Sequence, residues 1–392
     1  MTYRFSDKIK SLKPSAIREI FKYTADPSVI SFAAGSPAPD SFPAREMKTI
    51  ADELFDSHAA TALQYGITEG YAPLREKLRA RLRERFGIHT GCDDVIVTTG
   101  GQQGIDLTCK VLCNEGDTVL CEAPSFIGAL NAFRSYNVRL RGIDMESDGI
   151  DINALEHALL TEKNVKLLYL IPTFQNPSTV TMSEQKRRLV YALCEEHGVI
   201  ILEDDPYSQL RFGGEAVPPI KSMDTAGIVV YCSSFSKIIS AGIRVGYLCA
   251  PAELAQKIVV AKQTADVHTN LFFQMVIDRY LGRYDLDAHI ESICNLYRAK
   301  SALMGAMIEQ YMPNVAFTAP QGGIFIWCKL PDSMDAMAFG RRAIARKVAI
   351  VPGNTFLVDE DEKSSYFRLN YTVSTDEQIE RGIQILGDVL NA

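Results

Sequence analysis

Between residues 95 and 249 the chain switches repeatedly between two hydrophobic periods. Short β-rich runs occur at residues 95–99, 118–122, 138–143, 166–171, 199–203, 228–232 and 243–249. Amphipathic stretches of helical length lie between several of them, at 102–113, 126–136, 151–160 and 184–197. Alternation of this kind predicts strands joined by crossover helices. The stretch 184–197 carries the sharpest boundary signals. Thr181 and Glu184 have the spacing of a capping box, and Gly198 is a stop. The expected fold is α/β, with a mostly parallel sheet covered by helices on both faces. The last two runs break the rhythm, because only a short Ser/Gly-containing segment separates them.

The two ends of the chain read differently. A long polar helix pattern at 285–311 precedes Gly322-Gly323, a strand at 324–329, a helix, a second strand and a final helix. This predicts a large domain over 51–284 and a smaller α+β domain over 285–392, with the N-terminal segment 1–50 folded against the smaller one. There is no internal repeat and no low-complexity tract. A chain of 392 residues exceeds one ordinary core, which agrees with two domains.

Composition removes whole classes of function. The net charge of −7 and pI near 5.5 offer no general attraction for nucleic acid or anionic lipid. The first 13 residues lack the apolar core of a signal peptide, and no apolar run approaches the ~18 residues of a membrane span. The expected location is cytoplasmic. The nine cysteines, at 92, 109, 113, 121, 194, 232, 249, 294 and 328, form no Cys-x-x-Cys and fall mostly in apolar runs. They read as small buried hydrophobes in a reducing compartment. The six histidines are scattered without ligand spacing, so no metal site is expected.

The most informative segment is Ser233-Ser234-Phe235-Ser236-Lys237, followed by Arg244. An amine attacks a carbonyl only when unprotonated, so a catalytic lysine needs its pKa lowered by burial or nearby positive charge. Ser234, Ser236 and Arg244 suit an anion: two hydroxyl donors and a guanidinium. A surface lysine beside a structural arginine would read the same way. A second anion cradle is Thr98-Thr99-Gly100-Gly101-Gln102-Gln103-Gly104, where a strand runs into a helix N-terminus. Glu122, about 20 residues on, admits a dinucleotide alternative. The spacing is Gly-Gly-x-x-Gly, however, not Gly-x-Gly-x-x-Gly.

Glu203-Asp204-Asp205-Pro206-Tyr207 ends an apolar strand, where carboxylates of parallel sheets face the ligand crevice. Asp204 could hold a pyridinium nitrogen protonated and Tyr207 could bond a phenolate; a solvated acidic loop is the plainer reading. Asn176-Pro177 follows another strand and is otherwise ordinary turn chemistry. Arg368 could clamp an α-carboxylate or form an edge-strand salt bridge. Arg18 suits a solvated helix face, and Tyr65 a core or interface. Taken together, these residues describe one ligand: a phosphate, a carbonyl, a ring nitrogen and a carboxylate.

In these segments the chain resembles the fold-type I, class I/II aminotransferases. It is most similar to their branch of 2-aminoadipate and kynurenine aminotransferases. The resemblance extends to Ser31-Phe32-Ala33-Ala34-Gly35-Ser36-Pro37 and to Gln64-Tyr65-Gly66-Ile67-Thr68-Glu69-Gly70-Tyr71 with Pro73-Leu74-Arg75. It implies pyridoxal 5′-phosphate as cofactor, carried by Lys237 as a Schiff base, with the same lysine moving the proton at Cα. It further implies that Asp204 pairs with the ring nitrogen and that Tyr207 and Asn176 bond the ring oxygen. Gly101, Gln102, Ser234, Ser236 and Arg244 would hold the phosphate, and Phe126 would stack on the ring where tyrosine is common. Gly101 stands where a small hydroxyl residue is common. Tyr65 would reach the phosphate of a neighbouring subunit, implying a homodimer. Arg368, with the loop at Gly35, would hold the substrate carboxylate, and Arg18 matches a position that meets acidic substrate side chains. The implied reaction moves an amino group from an L-amino acid of the 2-aminoadipate, aromatic or branched-chain class to a 2-oxo acid such as 2-oxoglutarate. Two alternatives share the scaffold: a lyase or decarboxylase, and the effector domain of a MocR-type regulator, which would carry a DNA-reading head.

Overall fold

Eight strands form the central sheet, in the order Asp93–Thr98, Gly246–Pro251, Val229–Ser234, Ile200–Asp204, Val165–Leu170, Thr118–Ala123, Arg139–Glu146 and Gly149–Ile150. The computed structural model describes residues 3–10, 26–331 and 334–392. The five strands from Val229–Ser234 to Arg139–Glu146 pair in parallel. In four of them, Val229–Ser234 to Thr118–Ala123, the apolar runs are buried because helices cover the sheet on either side, whereas Arg139–Glu146 is largely exposed. Gly246–Pro251 runs antiparallel to both neighbours. The short connection before it cannot span a crossover, so the chain turns straight back. That strand begins three residues later than its hydrophobic run predicts, since Arg244 adopts a left-handed φ of 54° and cannot continue a ladder.

The helix Glu184–His197 has the predicted bounds and ends on Gly198 at φ 65°. Its cap differs from the expectation. Ser183 accepts from Lys186 N, whereas Thr181 Oγ1 accepts from Phe174 N in the preceding loop. Both hydroxyls precede the same helix, and the nearer one reaches its free amides. Asp285 caps the 26-residue helix Leu286–Tyr311, which packs along Asp376–Asn391.

Beyond the large sheet, Ala316–Phe317, Phe325–Lys329, Tyr366–Asn370 and Val351–Pro352 form a second, antiparallel sheet in that order. Ile30–Ser31 pairs in parallel with Val348–Ala349, so the early chain joins the C-terminal elements. The helix Ala44–Ala62, which contains residue 50, packs on Leu271–Arg283. At the carboxyl edge of the parallel strands, Ala123, Leu170, Asp204 and Ser234 end side by side, with the second sheet facing them. That edge is the crevice in which open α/β sheets bind ligands. None of the described helices is long and apolar enough to cross a membrane.

Candidate active site

Lys237 stands just beyond the buried strand Val229–Ser234. Phe235, itself buried, anchors the turn through its N–H to Val245 O at 3.1 Å. The lysine Nζ donates to Gly35 O at 2.5 Å. Burial pushes its pKa down to about 8, helped by Arg368 and Arg244 and opposed by Asp204. At pH 7 about a tenth of such an amine is unprotonated, against roughly one part in 3,000 for an ordinary lysine. The rate at which apoprotein captures an aldehyde cofactor should therefore rise with pH and level off above about 8. Stopped-flow absorbance across pH 6–10 reads this directly, and a rise continuing to pH 10 would show an ordinary, solvated lysine.

Around this amine the structure gathers donors for an anion. The helix Gly101–Leu112 opens on Gly100, whose φ is 76°. A Cβ there would lie 2.2 Å from Arg244 Nη2, so only glycine admits the guanidinium. Arg244 donates to Ser236 Oγ at 3.4 Å and Ala241 O at 3.2 Å, and Ser234 Oγ donates to Ser236 Oγ at 2.8 Å. Two hydroxyls, a guanidinium and free helix amides converge, which suits a phosphate. At Gly101 a Cβ would meet Cys232 Sγ at 3.6 Å, an ordinary contact. The cradle has room for the side chain it lacks.

A buried network with no sequence signal braces this turn. Lys262, fully buried, donates to Asp266 and Gln103 at 2.8 Å and to Thr269 at 3.0 Å. Asp266 Oδ2 accepts from Thr99 Oγ1 and Gln103 Nε2, both at 2.7 Å, and Gln103 Oε1 accepts from Thr99 N. The i,i+4 Lys–Asp pair resembles surface decoration in sequence, but here it fixes the residue before Gly100. Asp266→Asn should weaken phosphate-cofactor retention about tenfold, measured by equilibrium dialysis. Turnover at saturating cofactor should be unchanged, and unaltered retention would make the network a matter of stability alone.

Asp204 ends its strand buried. Tyr169 OH donates to its Oδ2 at 2.8 Å, while Oδ1 accepts from none of the described residues. Burial pushes this carboxyl up to about 7, with Tyr169 and Lys237 opposing. A desolvated carboxylate with one free oxygen is stabilised by a cation placed against it. Tyr207 and Asn176 line the same pocket, as do Gln102 and Phe126. Gly128 makes room here: a Cβ would lie 2.4 Å from the Phe126 ring.

Arg368 is buried on the inner strand Tyr366–Asn370, not at an edge. It donates to Asn176 Oδ1 at 2.7 Å and Ala33 O at 3.1 Å, between the rings of Phe325 and Phe356. Its Nε has no partner, and no carboxylate of the described residues forms an ion pair with it. Burial draws its pKa down to about 10. A desolvated, unpaired guanidinium calls for an anionic ligand.

Lys237, Asp204, Tyr207, Asn176, Arg244, Arg368, Ser234, Ser236, Gly101, Gln102, Phe126 and Gly35 thus line one cavity of about 550 Å3. The residues fit pyridoxal phosphate: an amine with lowered pKa, a phosphate cradle requiring Gly100, and a free carboxylate oxygen. Tyr65 does not join them. It is 79% exposed, stacked edge-on against His268. Arg18 lies outside the described residues. Glu122 does not face a ribose; it is buried, accepting from Ile171 N and Gln175 Nε2 beneath the loop that carries Asn176. Burial pushes its carboxyl up to about 8. Among the described residues, no cluster of His, Cys, Asp or Glu is arranged for a metal.

Residues 27–386 match the family model described as aminotransferase class I and II. The chain is 40% identical, over 98% of its length and 94% of the relative's, to aromatic-amino-acid aminotransferase 1 of Thermococcus litoralis. It superposes with TM-score 0.94 and 38% identity on a kynurenine aminotransferase of Pyrococcus horikoshii solved in complex with PMP, covering 99% and 96% of the two chains. An α-aminoadipate aminotransferase of Thermus thermophilus, complexed with N-(5′-phosphopyridoxyl)-L-leucine, gives TM-score 0.90 at 36% identity, covering 99% and 97%.

Proposed function

Because this chain belongs to the class I and II aminotransferases, and is thus an enzyme that transfers amino groups with pyridoxal phosphate, we propose that Lys237, Asp204 and Arg368 carry its reaction. The single supporting observation is Lys237 itself, half-buried and with its pKa drawn down to about 8, in one cavity with Asp204 and Arg368. When bound, the cofactor supplies an electrophilic carbon and an electron-withdrawing ring that acidifies the bonds at a substrate Cα. Lys237 Nζ would take the proton from Cα and return it to the cofactor's electrophilic carbon, on the other side of the transferred nitrogen. Asp204 Oδ1 would hold the ring nitrogen protonated. Tyr207 and Asn176 would bond the ring oxygen, Phe126 would stack on the ring, and Gly101, Gln102, Ser234, Ser236 and Arg244 would hold the phosphate.

Arg368 binds the substrate carboxylate against Asn176 and the Gly35 loop. A carboxylate held by Arg368 would leave the Cα–H bond, not the carboxyl bond, open to Lys237. This favours amino transfer over decarboxylation. Arg368→Ala should raise KM for amino donors about 10- to 100-fold, because a charge-assisted hydrogen bond contributes about 1.5–3 kcal/mol. Steady-state kinetics with several donors check this, and an effect confined to thermal stability would contradict the role.

The donors we propose are L-amino acids of the 2-aminoadipate, aromatic and branched-chain classes, with 2-oxoglutarate as acceptor. Ile105, Phe126, Ile127 and Phe325 make much of the pocket wall apolar, and Arg18 is the proposed partner of an acidic side chain. A homodimer is part of the proposal: Leu63, Tyr65, Ile67 and Val267 are exposed, and Tyr65 would complete the neighbour's phosphate site. We also propose the division into 1–50, 51–284 and 285–392, and a cytoplasmic location. A panel of glutamate, 2-aminoadipate, leucine, phenylalanine, kynurenine and alanine with 2-oxoglutarate tests the substrate reading. Turnover with none of them would overturn it.

A further inference from the structure

A second cavity, of about 870 Å3, shares no lining residue with the one around Lys237. Its wall holds four arginines and a single carboxylate. Arg187 is fully buried and fully used: it donates to the carbonyls of Met182, Pro172 and Pro218 and to Thr173 Oγ1, with Glu203 4.0 Å away. The other three stand differently. Arg85 ends the helix Ala72–Phe86, Arg298 projects from Leu286–Tyr311, and Arg211 follows the loop after Asp204.

None of Arg85, Arg211 and Arg298 has a carboxylate of the described residues within ion-pair distance. Arg298 donates to Phe212 O and to Asn295 Oδ1, and Arg211 to Gly213 O at 3.2 Å. The Arg211 guanidinium lies over the Phe174 ring at 4.4 Å, and its Nη2 has no partner. Asp287, on the same helix as Arg298, is held by Arg81 at 2.8 Å. Asp205, the carboxylate in the cleft, accepts from Ser208 N, Ser208 Oγ and Tyr231 OH. Burial and Arg187 draw the Arg211 pKa down, with Asp205 opposing them.

A cleft lined mainly by charge of one sign attracts counter-ions. Here four arginines face one carboxylate, on a chain whose net charge is −7. Guanidiniums are suited to planar carboxylates and to phosphates, which they bind through paired N–H groups. The volume falls in the range of small-molecule sites, about 300–1,000 Å3. We propose that this cleft binds a small polyanion, bearing carboxylate or phosphate groups, between Arg85, Arg211 and Arg298. The cleft adjoins the chemistry through the backbone, since Asp205 follows Asp204 and Thr173 precedes Asn176 in its loop.

The test is calorimetric titration of the holoenzyme with citrate and, separately, with inorganic phosphate. Saturable binding of either probe is expected, and whichever binds identifies the carboxylate or the phosphoryl source. Arg85→Gln combined with Arg298→Gln, both on exposed positions, should weaken it at least tenfold. Arg368→Lys should leave it unchanged, because that residue belongs to the other cavity. The proposal fails if neither probe saturates or if the double variant binds as tightly as the unaltered enzyme. It also fails if Arg368→Lys abolishes binding, which would put the anion in the active site.

Discussion

Replacing Lys237 by alanine is expected to lower turnover by about 10²–10⁴-fold. The side chain donates one hydrogen bond, to Gly35 O, so its loss leaves the strand and loop that carry it in place. Partial burial and two neighbouring guanidiniums depress its pKa, and removing the amine also removes a partly desolvated charge. The variant should therefore fold and still hold the cofactor in its phosphate cradle, from which dialysis would release it. Circular dichroism checks the fold, and single-turnover assays check the rate. A rate near that of the unaltered enzyme would remove Lys237 from the chemistry.

Asp204→Ala should lower turnover by about 10²–10³-fold, the range for a preorganised charge aimed at the reacting system. The expected pattern is a fall in turnover with little change in donor KM, because the carboxylate is proposed to face the ring and not the amino acid. Stability should move the other way. Burial raises this carboxyl to about 7 in the folded apoprotein, so the folded state binds the proton more tightly than the unfolded chain. Its ionisation thus costs stability as pH rises from about 4 towards 7, and that cost persists above pH 7. Apoprotein lacking the carboxylate should lose less stability over that range, which thermal melts at pH 5 and pH 8 would show. An unchanged rate would exclude Asp204 from the site.

Much of this was legible in the order of residues. The strand runs were visible because parallel strands buried on both faces must be continuously apolar, and the helix Glu184–His197 because its stop signal is a glycine. The site residues could be read because the strand ends and the loops just beyond them deliver polar side chains to one crevice. What escaped the sequence depends on contacts between distant segments. Arg368 meets Asn176 across 192 positions. Tyr169 lies within an apolar strand, and nothing local shows that its hydroxyl reaches Asp204. Lys262 and Asp266 look like an exposed helical pair until folding buries Lys262 and sets Asp266 against Thr99. The cap fell on Ser183 instead of Thr181 because backbone geometry, not residue type, chose between two adequate hydroxyls.

The central claim concerns a single nitrogen. Holoenzyme reduced with borohydride and digested should carry the pyridoxyl group on the peptide containing Lys237 and on no other. Label on Lys262 or another lysine, or no covalent label at all, would contradict the account.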